Sequence, residues 1–222
     1  DGDKNVAIGY RAMKTGDVSG ADNVAMGSLA LEDLTTGASN VAVGKSAALN
    51  LTTGTSNVAV GDLAIGDGTA TGDKNTAIGY SAMKALTSGA GNVAIGSQAL
   101  IKATTNVHNI AIGTSALSST INDGNNNIAI GKNAINAGDV SGNSNIGVGT
   151  DSLKVLTSGA RNIAVGSGSM GKGTVTGNDN IAMGKFALED ITGGFGNIAV
   201  GSGSQANVTT NRGNIAIGQH TF

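Results

Sequence analysis

NVAVGKSAALNLTTGTSNVAVG, residues 40–61, holds one complete repeat and the start of the next. An amide is followed by two branched aliphatic residues around an alanine, and then by glycine. Seventeen residues later the same five letters return. The unit begins at Asn5, Asn23, Asn40, Asn57, Asn75, Asn92, Asn109, Asn127, Asn145, Asn162, Asn180, Asn197 and Asn214, always 17 or 18 residues apart. A short unit at a fixed period along a whole chain is the mark of an array in which each copy packs on its neighbours. No interval is long enough for a linker, so residues 1–222 read as a single repeat domain.

Each column has a physical reading. The residue after the asparagine is β-branched, and two positions on stands Ile, Val or Met. Alternation of this kind makes a short strand with both bulky side chains on one face. The expectation is that these two fill a thin core. Between them comes alanine in twelve copies: Ala7, Ala25, Ala42, Ala59, Ala77, Ala94, Ala111, Ala129, Ala164, Ala182, Ala199 and Ala216; Gly147 takes the remaining place. A half-buried strand would carry polar residues on its second face. The alanines are therefore expected to face outward onto a partner chain, as oligomer-interface residues.

Glycine follows in every copy: Gly9, Gly27, Gly44, Gly61, Gly79, Gly96, Gly113, Gly131, Gly149, Gly166, Gly184, Gly201 and Gly218. That column predicts a tight turn with positive φ or close backbone approach. A second apolar patch, such as Ala30-Leu31 or Ala82-Met83, predicts a second short strand. Gly, or Asn at 106 and 211, stands three residues before the next asparagine and predicts a left-handed turn. Strand, turn, strand and turn make one coil of a flattened solenoid, with coils stacked about 4.8 Å apart. The asparagines then form a ladder of side-chain amides.

Composition narrows the function classes. Hydrophobic residues make up 39% of the chain but aromatics only 2%, so no deep globular core can be filled. Proline is absent, which suits strands whose N–H groups must all pair. The net charge of −2 and the lack of any basic stripe argue against nucleic acid. No apolar run reaches the roughly 18 residues of a membrane helix, so no membrane insertion is expected in this piece. There is no cysteine for disulfides or thiolate metal sites. The chain opens on a repeat at Asp1 without methionine and reads as a fragment of a longer protein.

A lone coil looks marginal. Fully burying a Val-sized or Ile-sized side chain is worth about 1.5–3 kcal/mol. Ordering each backbone residue costs about 1–2 kcal/mol. With so few apolar side chains per coil, association with other copies is the expected source of the missing burial. The alternative is a capped monomeric solenoid.

Catalytic constellations are wanting, and the chain reads as no enzyme, with no cofactor and no metal site. His108 and His220 are far apart in sequence and read as turn residues. The serines have no base beside them to activate a hydroxyl. GSGSMGKG, residues 166–173, lacks the Gly-Lys-Ser/Thr ending of a phosphate loop. A calcium-binding β-roll needs aspartate in every unit. Here Asp17, Asp62, Asp139 and Asp179 are scattered. Threonine stands twelve residues after asparagine at Thr35, Thr52, Thr69, Thr87, Thr104, Thr157, Thr174, Thr192 and Thr209, an array that raises ice binding. A monomeric solenoid binding ice or Ca²⁺ is thus the alternative function. Tyr10, Tyr80, Phe186, Phe195 and Phe222 are too scattered in sequence to form a receptor patch.

The pattern N-[VI]-A-[IVM]-G followed by x-x-A-[LM] resembles the YadA-type head repeats of trimeric autotransporter adhesins, and the match covers essentially the whole chain. The resemblance implies a left-handed parallel β-roll with three chains around an axis. Those repeats are commonly nearer fourteen residues. The longer form, with TTG or TSG before the next copy, looks like the shafts of phage tail fibres. Near-copies such as GDKNVAIGYRAMK and GDKNTAIGYSAMK suggest growth by internal duplication. The expectation is therefore an all-β, left-handed parallel β-roll of about thirteen coils in a homotrimeric fibre. It would lie on a bacterial surface or a virion and serve adhesion or attachment to a cell-surface glycan or protein receptor.

Overall fold

A computed structural model of the chain describes residues 3–14, 18–118, 121–122, 124–136 and 139–221. It is an all-β parallel solenoid with no helix among the described residues. The chain divides into two compact units, Asp1–His108 and Asn109–Phe222. The sequence readings at Asp17, Asp1 and Phe222 fall outside the described residues.

In the first unit the strands are Val6–Ile8, Val24–Met26, Val41–Val43, Val58–Val60, Thr76–Ile78 and Val93–Ile95. They pair in parallel without slippage, so that Val41 faces Val58, Ala42 faces Ala59 and Val43 faces Val60. In the second unit the strands are Ile110–Ile112, Ile128–Ile130, Ile146–Val148, Ile163–Val165, Ile181–Met183, Ile198–Val200 and Ile215–Ile217. They stack in the same register, Ala182 against Ala199 for example. A separate parallel pair, Ile121–Asn122 with Asp139–Val140, belongs to the loop side of two coils in this unit.

Bonding between coils is not confined to strands. At the corner after the strand, Gly44 N donates to Met26 O at 2.8 Å. On the far side, Met13 N donates to Ala30 O at 3.0 Å, and Thr35 N to Thr52 O at 2.9 Å. Neighbouring coils thus supply the partners that buried backbone groups require.

The interior contradicts the expected assignment of faces. Ala25, Ala42, Ala59, Ala77, Ala94, Ala111, Ala129, Ala164, Ala182 and Ala199 have no exposed surface within a single chain, and Ala216 is 3% exposed. Of that column only Ala7, in the first strand, is exposed. These alanines line the inside of the coil and cannot offer area to a partner. The branched residues on either side of them point outward. One coil buries Ala25, Ala30, Leu31 and Leu34; another buries Ala182, Ala187, Leu188 and Ile191.

The reason is width. At Gly147, the one exception to the alanine column, a Cβ would lie 3.0 Å from Ile135 Cγ1 and 3.1 Å from Ser152 Oγ. The strand there faces a large side chain from the opposite corner across a gap in which even a methyl group is tight. Two branched side chains per strand would not fit, because overpacking a tight interior is itself destabilising.

The second apolar patch forms a turn instead of a strand. In the coil that starts at Asn57, Leu63 has φ 55° and Ile65 has φ 51°, and Ser56 before the asparagine has φ 57°. These three positions are left-handed in nearly every coil although the residues are seldom glycine. Such a conformation costs an L-residue roughly 1–2 kcal/mol. Backbone bonds to neighbouring coils hold it: Ser56 N donates to Ala38 O at 2.9 Å, Leu63 N to Lys45 O at 3.1 Å and Ile65 N to Ala82 O at 3.0 Å.

Candidate functional site

Two features recur along each unit: a buried amide ladder and an outward-facing aliphatic column on either side of the strand alanine. From Asn23 to Asn197 the motif asparagines are buried. Asn57 shows the pattern. Its backbone N–H donates to Asn40 Oδ1 at 2.9 Å, and its Nδ2 donates to the same oxygen at 3.1 Å and to Gly72 O at 2.8 Å. Its own Oδ1 accepts from Asn75 N at 2.9 Å and Asn75 Nδ2 at 3.1 Å. Both amide protons and both oxygen lone pairs are thereby used. In the second unit Asn145, Asn162, Asn180 and Asn197 repeat the arrangement. At these inner rungs the amides are spent on neighbouring coils, which makes the ladder structural.

The ladder explains the glycine three residues before each asparagine, and corrects its reading as a left-handed turn. Gly54 is not among the positive-φ residues. A Cβ there would run into the Gly72 carbonyl and come within 3.0 Å of Asn57 Nδ2. Close approach, not backbone handedness, selects glycine. Where Asn106 and Asn211 take this place, their carbonyls still accept from the ladder, each at 2.7 Å. The left-handed residue comes two positions later. The glycine after the strand does need its freedom: Gly61 has φ +127°, and a Cβ would meet Gly79 O at 2.7 Å.

Outside the ladder, the residues flanking each strand alanine form two columns of Val, Ile, Met and one Thr, with no charged residue in either. Several are well exposed within one chain: Met26 43%, Ile78 37%, Ile130 37% and Met183 46%. Just beyond the strands in sequence stand polar and charged residues, among them Lys45, Asp62, Lys74, Lys132 and Lys185. The apolar strip thus has polar and charged residues beside it in sequence.

The remaining candidates are not gathered into a site. Among the described residues no three His, Asp, Glu or Cys side chains come together to hold a metal. His108 packs over Gly91, and His220 over Gly203. Part of the threonine column is engaged within the chain: Thr35 Oγ1 donates to Thr52 O at 3.0 Å and Thr192 Oγ1 to Thr209 O at 3.1 Å. Ion pairs link adjacent coils on the surface. Arg161 Nε donates to Asp179 Oδ1 at 2.6 Å, and this bond holds the Asp179 carboxyl below its ordinary range. Lys84 is raised by its bond to Asp67, 2.8 Å away.

Sequence reasoning missed the left-handed positions, although a signal was present. Val, Ile and Thr are abundant in the chain, yet none precedes a motif asparagine or stands six residues after one. β-Branched side chains are the ones least tolerant of positive φ. No helix of the described residues is long and apolar enough to cross a membrane. No protein-family model matches the chain, and no curated protein matches it.

Proposed function

We propose that the chain is a non-enzymatic module of a surface fibre, three copies of which pack as a left-handed β-roll through the outer Val/Ile/Met columns. The observation that carries the reading is the aliphatic strip itself, half-buried on most coils and well exposed at Met26, Ile78, Ile95, Ile130 and Met183 in one chain. Covering it removes apolar area from water at about 25 cal/mol per Å². Closed symmetry around an axis covers the strip on each copy equally. The number three, the left-handed sense and the extracellular location, on a bacterium or a virion, follow the resemblance to adhesin heads and tail-fibre shafts. The role is to extend a fibre and present its flanks to a host or receptor surface, where several copies add avidity.

Light scattering of the purified chain tests the assembly. A solution mass of three chains is expected, and a stably folded single chain would overturn it. The ice-binding alternative is tested by a thermal-hysteresis assay; in the threonine column the Thr35, Thr87 and Thr192 hydroxyls donate to backbone carbonyls.

A further inference from the structure

The strip and the ladder leave one corner of the coil unexplained. In the second unit a surface groove of about 280 Å³ is lined by Asp151, Lys154, Gly168, Lys172, Phe186 and Glu189, with Ser167 and Gly171 completing it. It exists because one coil has glycine at both places where its neighbours carry side chains. Gly168 stands in the column of Asp151 and Phe186, and Gly171 in the column of Lys154 and Glu189. The notch is held open by the backbone, since a Cβ on Gly171 would lie 2.8 Å from Gly168 O and 2.9 Å from Asp151 O.

One wall of the notch is aromatic. The Cδ1–Cε1 edge of the Phe186 ring packs against Gly168, where a Cβ would come within 2.6 Å of Cε1, and the residue remains 38% exposed. Lys185 Nζ sits 4.8 Å from the ring centroid, so the negative face of the ring already attracts positive charge. The other walls carry ion pairs. Lys154 Nζ lies 3.3 Å from Asp151 Oδ1, and Lys172 Nζ 2.9 Å from Glu189 Oε1. Two ammonium groups and two carboxylates give a wall with donors and acceptors but no net charge. A simple anion or cation gains little there, whereas a hydroxyl both donates and accepts. The volume falls below the roughly 300 Å³ at which drug-sized sites begin, so the groove suits one small ring.

A groove at the corresponding corner of the first unit, about 270 Å³ and lined by Asp67, Lys84, Ala85, Ile101 and Lys102, has no aromatic wall. It serves as an internal comparison.

We propose that the Phe186 groove binds a single uncharged hexopyranose unit, with the C–H face of the sugar on the face of the Phe186 ring opposite Lys185 and its hydroxyls bridging Asp151, Lys154, Lys172 and Glu189. The proposal gives the attachment reading a partner class and rests on that reading for its biological use. The binding itself is measured on the chain whatever its oligomeric state. The test is titration of the protein with methyl β-galactopyranoside and with N-acetylglucosamine, followed by NMR of the Phe186 ring, with inorganic phosphate and glycerol as controls. A saturable shift at Phe186 in the millimolar range is expected with at least one sugar and none with phosphate or glycerol. Phe186→Ser should weaken the interaction at least about tenfold. Serine occupies the same left-handed column at Ser46, Ser81 and Ser115, so this variant keeps the fold. The absence of any saturable shift with either sugar overturns the proposal. So does a response to phosphate alone, to glycerol equally, or one unchanged in Phe186→Ser.

Discussion

Replacing Asn57 by aspartate changes one NH₂ group to oxygen and leaves shape almost untouched, which isolates what the amide ladder contributes. Asn57 is 1% exposed. Its Nδ2 donates to Asn40 Oδ1 at 3.1 Å and Gly72 O at 2.8 Å. An ionised carboxylate loses both bonds and sets an oxygen against each acceptor, while still accepting from Asn75. Two lost bonds at about 1 kcal/mol each, with a further 1–3 kcal/mol for the acceptor left unpaired in the interior, give a penalty of about 3–5 kcal/mol near pH 7.

Protonation restores one donor, so the penalty depends on pH. Burial among acceptor oxygens raises the folded-state pKa of the introduced carboxyl above the roughly 3.9 of the unfolded chain. The variant is therefore closest to the parent below about pH 4 and loses stability as pH rises through the raised folded value. Chemical unfolding at acid and neutral pH measures the difference. Hydrogen exchange at residues 57–75 locates it, since each coil leans only on its neighbours. A variant as stable as the parent at neutral pH would refute the ladder's energetic role. A penalty independent of pH would refute the assignment to the two donated bonds.

The inside-out arrangement of the strand separates two substitutions one residue apart. Ala59→Leu should destabilise the coil by about 1–3 kcal/mol through overpacking, read as a lower melting temperature. Val60→Lys, combined with Val43→Lys, should leave the coil folded and reduce the solution mass; a lower mass from Ala59→Leu with no loss of stability would reverse the assignment. Ser56 is exposed with φ 57°, so Ser56→Gly should raise stability by about 1 kcal/mol and Ser56→Val should lower it. Equal melting temperatures for the two would count against a left-handed cost. The Arg161 bond lowers the Asp179 pKa, so its contribution is present above the ordinary carboxylate range and fades as pH falls through the lowered value. Both partners are more than half exposed, and Asp179→Asn should leave the melting temperature nearly unchanged. A large drop would show that the pair is doing more than a surface contact can.

The repeat, the strand within it, the parallel stacking and the asparagine ladder were legible in the residue pattern. A five-residue motif that returns thirteen times at a period of 17 or 18 is the pattern of stacked coils. What alternation alone could not determine was which face of the strand points inward. Val58 and Val60 must oppose Ala59, but a period of two is indifferent to which side is the core. Bulk suggested the valines; the structure buries the alanine, because Leu- and Met-sized residues from the opposite corner already occupy the space. The left-handed corners were hidden for a similar reason. Their residues are ordinary ones, such as Ser56, Leu63 and Ile65, and their φ values are held by hydrogen bonds to the coils on either side. Those bonds join residues a full coil apart, and only the tertiary structure brings them together.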